Sequence, residues 1–186
     1  MAERGTPRMD STAEFEFLFA IDGVSVDDDA AMMVMAGDFD GVLSSNRGRT
    51  RYAVSATGKD SVDAAERLIT RLTAVLPQLR ICHLDPDLVG IPDIAQRTGR
   101  SRQNVLQWVN GERNGSRPFP APEGTAGRSL VWRWADVNDW LTPLGFGDGA
   151  VRPTRAEATL IDVMLLARVS AHEERARIPV PASVKD

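Results

Sequence analysis

The sequence predicts an α+β protein, and three observations lead to that class. Phenylalanines occupy every second position from Phe15 to Phe19, which is the period of a half-buried strand. Four strand patterns and two helix patterns alternate between residues 14 and 86. Two short helix patterns follow residue 90, and one long helix pattern begins after residue 153. With 186 residues, the chain is long enough for two small domains.

The segment 14–86 has the element order strand, helix, strand, strand, helix, strand. Ser25 is expected to cap the first helix, and the three aspartates that follow suit the positive end of a helix dipole. A turn at residues 46–48 joins two strands into a hairpin. The predicted strands cover 14–21, 40–45, 50–57 and 79–84, and the predicted helices cover about 27–37 and 61–76. This order is the ferredoxin-like (βαββαβ) arrangement.

An aromatic sheet of this kind can recognise RNA by stacking bases. Two features argue against that function: residues 1–88 hold 9 basic and 15 acidic residues, and no Lys/Arg-Gly-aromatic motif is present. The phenylalanines are expected to face the helices, which leaves Leu18 and Ala20 on the other side of the first strand. The third strand offers Ala53 and Ser55 on one face. Such a face suits dimerisation, a small ligand or a protein partner.

The segment 91–111 has the pattern of two short helices joined by a tight turn. Ala95 allows a close helix crossing, Gly99 suits a left-handed turn residue, and Ser101 can cap the second helix. Val105 and Trp108 then lie on the face that packs back onto the first helix. Polar side chains remain on the outer face. The pattern predicts a DNA-binding helix-turn-helix, and the alternative is a helical hairpin inside a larger core.

The following stretch, 118–141, has the pattern of a wing. Residues 129–134 have strand composition after a glycine turn, and Asp136 is expected to cap a helix that buries Val137, Trp140 and Leu141. The helix-turn-helix, the Phe-Pro-x-Pro segment, Arg-x-x-Val-Trp-Arg and Ala-Asp-Val-x-x-Trp-Leu together resemble the winged-helix domains of the MerR and excisionase-like (AlpA-type) group. The resemblance covers about residues 87–141. It implies a winged helix-turn-helix domain, assigned to 87–142, that binds double-stranded DNA.

Basic residues are concentrated in the segment with these motifs. The chain has a net charge of −4, but residues 89–135 hold seven basic and three acidic residues. All seven are arginine, which suits bidentate contact with guanine or phosphate. The expected base-reading side chains are Arg102, Gln103 and Gln107, with Asn104 more peripheral and Ser101 as the cap. The expected contacts to the DNA backbone or minor groove are Arg97, Arg100, Arg113, Arg117, Arg128 and Arg133.

Tails, a linker and a long helix complete the predicted organisation. Disordered tails are expected at 1–13 and 178–186, and a flexible joint at 143–153. Thr154 and Glu157 have capping-box spacing, so the C-terminal helix is predicted over 154–177. Its broad apolar face must be covered, either by the winged domain or by a second subunit.

The sequence also indicates which function classes are absent. No phosphate-binding loop, nucleophile elbow or paired-histidine motif is present, so neither an enzyme nor a cofactor or metal site is expected. No apolar run suggests a signal peptide or a membrane span, and the single Cys82 fits a reducing cytoplasm.

The leading hypothesis is a homodimeric transcriptional regulator, because proteins with two-fold symmetry read paired DNA half-sites. The alternatives are an architectural DNA-binding protein, such as a recombination directionality factor or segregation adaptor, and an antitoxin-like module that binds a protein partner.

Overall fold

A computed structural model describes residues 12–46, 48–113 and 117–177. Within these residues the protein has mixed α and β structure, with two antiparallel sheets and six α-helices. The strands are β1 (Ala13–Asp22), β2 (Val42–Asn46), β3 (Arg49–Gly58), β4 (Arg80–Leu84), β5 (Leu88–Val89), β6 (Gly124–Ala126) and β7 (Ser129–Arg133). The helices are α1 (Asp29–Gly37), α2 (Ser61–Val75), α3 (Ile91–Thr98), α4 (Arg102–Val109), α5 (Trp134–Leu141) and α6 (Arg155–Arg177).

The N-terminal region, residues 13–84, has the predicted element order. Its four strands are ordered β2-β3-β1-β4, and each neighbouring pair is antiparallel. Phe15, Phe17 and Phe19 are buried on the side of the sheet that α1 and α2 cover, so the period-two prediction is confirmed. The predicted tail at 1–13 falls almost entirely outside the described residues, although β1 already begins at Ala13.

Helix caps in this region follow from local side-chain chemistry, with one correction. Asp60 caps α2, since its Oδ1 accepts from the Asp63 N–H at 2.8 Å. The prediction that Ser25 caps α1 is wrong. Asp28 is the cap and accepts from the Ala31 N–H at 3.0 Å, whereas Ser25 Oγ accepts from the Asp27 N–H in the preceding turn.

The tryptophan region, residues 87–142, contains a three-stranded sheet of order β5-β7-β6 and the helices α3, α4 and α5. All four tryptophans of the chain lie in its core. The turn between α3 and α4 is built as predicted. Gly99 has φ +64°, the Arg100 N–H donates to the Ala95 carbonyl at 3.0 Å, and Ser101 Oγ accepts from the Asn104 N–H at 3.2 Å.

The β6–β7 hairpin turns through Gly127 and Arg128, and Gly127 has φ +64°. α5 begins at Trp134, directly after β7, so the prediction that Asp136 caps it is wrong. Asp136 instead lies in the first turn, where it accepts a hydrogen bond from Arg155 at 2.8 Å. The expected inward positions of α5 are confirmed, because Val137, Trp140 and Leu141 are all buried.

The segment 143–153, predicted as a flexible joint, is hydrogen-bonded at several points. Buried Asn138 accepts from the Asp148 N–H at 2.8 Å and donates to the Ala150 carbonyl at 3.1 Å. The Val151 carbonyl accepts from the Glu16 N–H of β1 at 2.8 Å. These bonds fasten the segment to both regions.

The long helix packs in a different place from the one expected. The capping box is confirmed, because the Thr154 N–H and hydroxyl both donate to Glu157. However, Ile161 and Leu165 are buried against α2 and β4, so the buried apolar side of α6 belongs to the core of the N-terminal region, while Arg155 at its start bonds to Glu123 and Asp136 of the tryptophan region. The predicted tail at 178–186 lies outside the described residues.

Candidate nucleic-acid interface

α4 presents an exposed face that carries no carboxylate. Val105 and Trp108 anchor the helix in the core of the tryptophan region, at 0% and 2% exposure. On the opposite side Arg102 and Gln103 are exposed, and Gln107 is half-buried beside them. Leu106 is also exposed, at 43%, between these polar side chains. The face therefore combines charged, amide and apolar groups, which are the groups that contact base edges in a major groove.

A shallow cavity of about 290 Å³ opens beside α4, and we call its lining residues the Arg100 cluster: Arg100, Asn104, Trp108, Arg113 and Phe146. The Arg100 guanidinium lies 4.3 Å from the centroid of the Phe146 ring, and that ring stacks on Trp108. Asn104 is half-buried, and its Oδ1 has no hydrogen-bond partner among the described residues. Two guanidinium groups and no carboxylate line the cavity, which suits a phosphate oxygen.

One of the predicted DNA contacts is held by a carboxylate, and another is buried. Arg97 donates to both carboxylate oxygens of Asp87, at 2.6 and 2.8 Å, and lies 4.7 Å from the Trp134 ring centroid. The hydrogen bonds to Asp87 raise the pKa of Arg97 above its ordinary value. Arg133 is buried, with its side chain only 7% exposed. Arg97 is held by Asp87 and Arg133 is buried, so we leave both out of the candidate interface.

The other predicted arginines are exposed. Arg128 lies at the tip of the β6–β7 hairpin, and Arg117 donates to the Asp139 carbonyl at 3.4 Å. No ion pair within the described residues involves any of five exposed arginines. These five are Arg100, Arg102, Arg113, Arg117 and Arg128.

The carboxylates of this basic segment are engaged within the protein. Asp93 accepts from the Gly90 N–H at the start of α3, Glu112 accepts from Asn110, and Glu123 binds Arg155 of α6. The positive charge of the five arginines is therefore not offset by an ion pair at their own positions. A polyanion could therefore bind these arginines without first displacing a carboxylate from them.

No protein-family model, no curated protein and no solved structure matches the chain. Among the described residues, no helix has the length and apolar character needed to span a membrane. The same part of the chain has no cluster of three or more histidine, cysteine, aspartate or glutamate side chains placed to hold a metal ion.

Sequence reasoning missed Leu106 as a member of the exposed face. A signal was present, because Leu106 lies four residues after Arg102 and four before Asn110, on the polar side of the helix. The sequence pattern could not have excluded Arg97 or Arg133 from the candidate interface. The Asp87 partner of Arg97 lies ten residues away, beyond any helical spacing, and Arg133 is buried at the end of a strand whose first two residues are exposed.

Proposed function

We propose that residues 87–142 form a winged helix-turn-helix domain that binds double-stranded DNA and that the protein regulates transcription. The observation that carries the proposal is the exposed face of α4, which has no carboxylate and lies next to arginines that form no ion pair within the described part of the chain. In this proposal α4 enters the major groove. Arg102 and Gln103 read base edges, Gln107 assists them, and Leu106 contacts a thymine methyl group.

The phosphate contacts in this proposal come from the remaining exposed arginines. Arg100 and Arg113 of the Arg100 cluster hold the DNA backbone beside α4, with Asn104 at the rim of the contact. Arg128 at the hairpin tip and Arg117 reach the neighbouring backbone or minor groove. Ser101 acts indirectly, because its cap bond holds the first turn of α4.

We further propose that the N-terminal region is a ferredoxin-like domain and that the protein acts as a homodimer. The strand order β2-β3-β1-β4 with two helices on one face supports that fold class. Two-fold symmetry would place two copies of α4 on paired half-sites, so the selected DNA site is expected to be palindromic. Arrayed sites that fill cooperatively would instead favour an architectural protein.

The test is selection of bound fragments from random DNA by the full chain, followed by salt titration on the selected site and on scrambled DNA. Arg102→Ala is expected to weaken binding to the selected site by about 1–3 kcal/mol and to relax preference at one base pair. Arg128→Ala is expected to weaken binding to both DNAs equally and to reduce the salt dependence.

Arg67→Ala provides the matched control, because Arg67 is an exposed arginine of α2 in the N-terminal region. It should leave affinity for both DNAs unchanged. Equal, steeply salt-dependent binding to every sequence, unaffected by Arg102→Ala, would contradict base reading by α4. Failure of the full chain to bind any DNA would overturn the proposal as a whole.

A further inference from the structure

The four-stranded sheet has two edge strands, β2 and β4, and only one of them is covered within the described part of the chain. At the β4 edge, the Leu84 N–H donates to the Asp162 carboxylate of α6 at 2.7 Å, and α6 packs along the strand. At the β2 edge, no described residue outside β3 hydrogen-bonds to the backbone of the strand. The β2 edge is therefore open in the structure.

The backbone groups at the open edge belong to Leu43 and Ser45. Along an antiparallel pair, residues alternate between those that hydrogen-bond to the neighbouring strand and those that face away from it. The Asp85 N–H donates to the Leu18 carbonyl, and the registers carry this alternation from β1 through β3 to β2. The even-numbered residues of β2 therefore bond to β3, and Leu43 and Ser45 each direct an N–H and a carbonyl outward.

The composition of β2 does not oppose pairing with another strand. Edge strands that remain unpaired usually carry a charge, a proline or a bulge that prevents such pairing. β2 has the sequence Val-Leu-Ser-Ser-Asn, and its register with β3 is continuous. Val42 is 66% exposed on the outer face of the sheet. The strand therefore has none of the three features that keep an edge unpaired.

Charges of opposite sign flank β2. Asp38 and Asp40 precede the strand, Arg49 follows it at the start of β3, and all three are exposed. None of the three forms an ion pair within the described part of the chain. An antiparallel copy of β2 would bring the acidic end of one strand beside the basic end of the other, and two-fold symmetry would repeat the contact. A parallel copy would instead place like charges together.

We propose that β2 pairs with β2 of a second copy of the chain in antiparallel orientation, which joins two four-stranded sheets into one. This inference rests on the homodimer of the proposed function and names its interface. With the two-fold axis at Ser44, Leu43 of each copy lies opposite Ser45 of the other. Each of these two residue pairs exchanges two N–H···O hydrogen bonds. The acidic start of each β2 then lies beside Arg49 of the other copy.

Sedimentation of the full chain over a wide range of protein concentration measures the dimer. Ser45→Pro removes an outward N–H but leaves the bonds to β3, because proline is tolerated in an edge strand where its nitrogen faces away from the sheet. Symmetry doubles the loss, so the dimer dissociation constant should rise about tenfold or more. Ser45→Ala keeps the N–H and is the matched control, with an unchanged dissociation constant. Circular dichroism checks that both variants fold.

A disulfide tests the register of the two strands. Ser44 lies opposite its own copy at the axis, in a pair without mutual hydrogen bonds, where the Cβ atoms approach closely enough for a disulfide. In a Cys82→Ser background, Ser44→Cys should cross-link two copies under mild oxidation. Ser55→Cys should not, because Ser55 is exposed on the same sheet face but belongs to the interior strand β3. If Ser45→Pro does not fold, the cross-link decides.

Charge reversal tests the contact between the strand ends. Arg49→Glu should raise the dimer dissociation constant severalfold at low salt, and less at high salt, because it places acidic groups beside the acidic start of the other β2. Arg67→Glu, at an exposed arginine of α2, should leave the dissociation constant unchanged. An equal effect of the two reversals would contradict the antiparallel contact.

DNA binding is measured separately on the selected palindrome and on its half-site. Ser45→Pro should keep the affinity of one chain for the half-site and lose cooperative binding to the palindrome. A chain that stays monomeric at every concentration, a dimer unaffected by Ser45→Pro, or equal cross-linking by Ser55→Cys would overturn this interface, even if half-site binding remains. A dimer that shows the expected variant effects but binds no DNA would support the interface and overturn only the proposed DNA binding.

Discussion

The two regions of the chain bury their cores with different residue types. The N-terminal region, with two residues of α6, buries twenty-one described residues that are mainly phenylalanine and aliphatic. The tryptophan region buries ten described residues, four of them tryptophan. A small core contains few side chains and buries little apolar surface. Tryptophan, with its large side chain, increases the apolar surface that such a core buries.

The indole N–H groups show what the tryptophans add beyond area. Trp132 donates to the Pro120 carbonyl at 3.0 Å, and Trp140 donates to the Arg117 carbonyl at 3.1 Å. Trp134 donates to the Asp148 carboxylate at 2.9 Å. Each bond holds a segment outside the regular helices and strands. The loops of the tryptophan region are therefore held by hydrogen bonds from its core, whereas the N-terminal region is held together by apolar packing between helices and strands.

Trp132→Ala is expected to have the largest effect. Trp132 is 1% exposed, contacts the Phe119 ring edge-on and holds Pro120, so its truncation should destabilise the tryptophan region by about 3–5 kcal/mol. The remaining tryptophans report that region alone, so their fluorescence should show the loss in urea unfolding. Far-UV circular dichroism should retain the signal of the N-terminal region. Trp132→Phe keeps most of the packing and should cost much less; an equal cost would show that the N–H bond dominates.

Leu165→Ala tests the other core and the position of α6. Leu165 is 3% exposed against α2 and β4, so the variant should destabilise the N-terminal region by about 2–5 kcal/mol. Circular dichroism in urea should show the loss, with the tryptophan fluorescence midpoint much less affected.

Leu160→Ala is the matched control on the same helix, because Leu160 is 57% exposed. Its cost should stay within about 0.5 kcal/mol. A cost similar to that of Leu165→Ala would mean that the outer face of α6 is covered in solution. Sedimentation at several protein concentrations would then show whether a second copy covers it.

The sequence was sufficient for features that local chemistry decides. The alternation of phenylalanines in β1 needs only the period of a strand, and the turn between α3 and α4 needs only Gly99 and the Ser101 cap. The exposed polar face of α4 also follows from helical spacing. These features set most of the candidate interface.

Features decided by residues far apart in the chain were not predictable in the same way. Glycines in 143–153 indicated a flexible joint, but the bonds from Asn138 and Glu16 fasten it. The apolar face of α6 was clear from its sequence, yet its partner α2 lies about eighty positions earlier, and periodicity carries no information on partners. Arg133 has strand spacing compatible with exposure, but it is buried at the end of β7.

Asn138→Ala should have an intermediate effect on stability, because it removes two hydrogen bonds to the segment 143–153 without altering apolar packing. Asn138 is 2% exposed, and its loss leaves the Asp148 N–H and the Ala150 carbonyl without their partner. We expect a destabilisation of about 1–3 kcal/mol in the tryptophan fluorescence transition. Asn138→Leu restores the volume but not the bonds and should cost as much. Recovery of stability in Asn138→Leu would show that the loop depends on packing after all.

Asp148→Asn should have the smallest effect and one that depends on pH. Burial opposes ionisation of Asp148, but hydrogen bonds from Arg152, Trp134 and the Ala150 N–H outweigh it and lower the pKa of Asp148. An aspartate whose folded-state pKa is lowered stabilises the fold fully above its unfolded value of about 3.9, and this contribution is lost as pH falls further. The variant should therefore unfold at a lower temperature than the wild type at neutral pH.

The difference between the two midpoints should shrink as the pH falls through the acidic range, because the wild-type carboxylate becomes protonated and loses its advantage. Tryptophan fluorescence during thermal unfolding measures this difference directly, since Trp134 itself donates a hydrogen bond to Asp148. A difference that stays constant from neutral to acidic pH would assign the effect to the shape of the amide rather than to charge. In that case the hydrogen bond that Trp134 donates, rather than the ion pair with Arg152, would hold this loop in place.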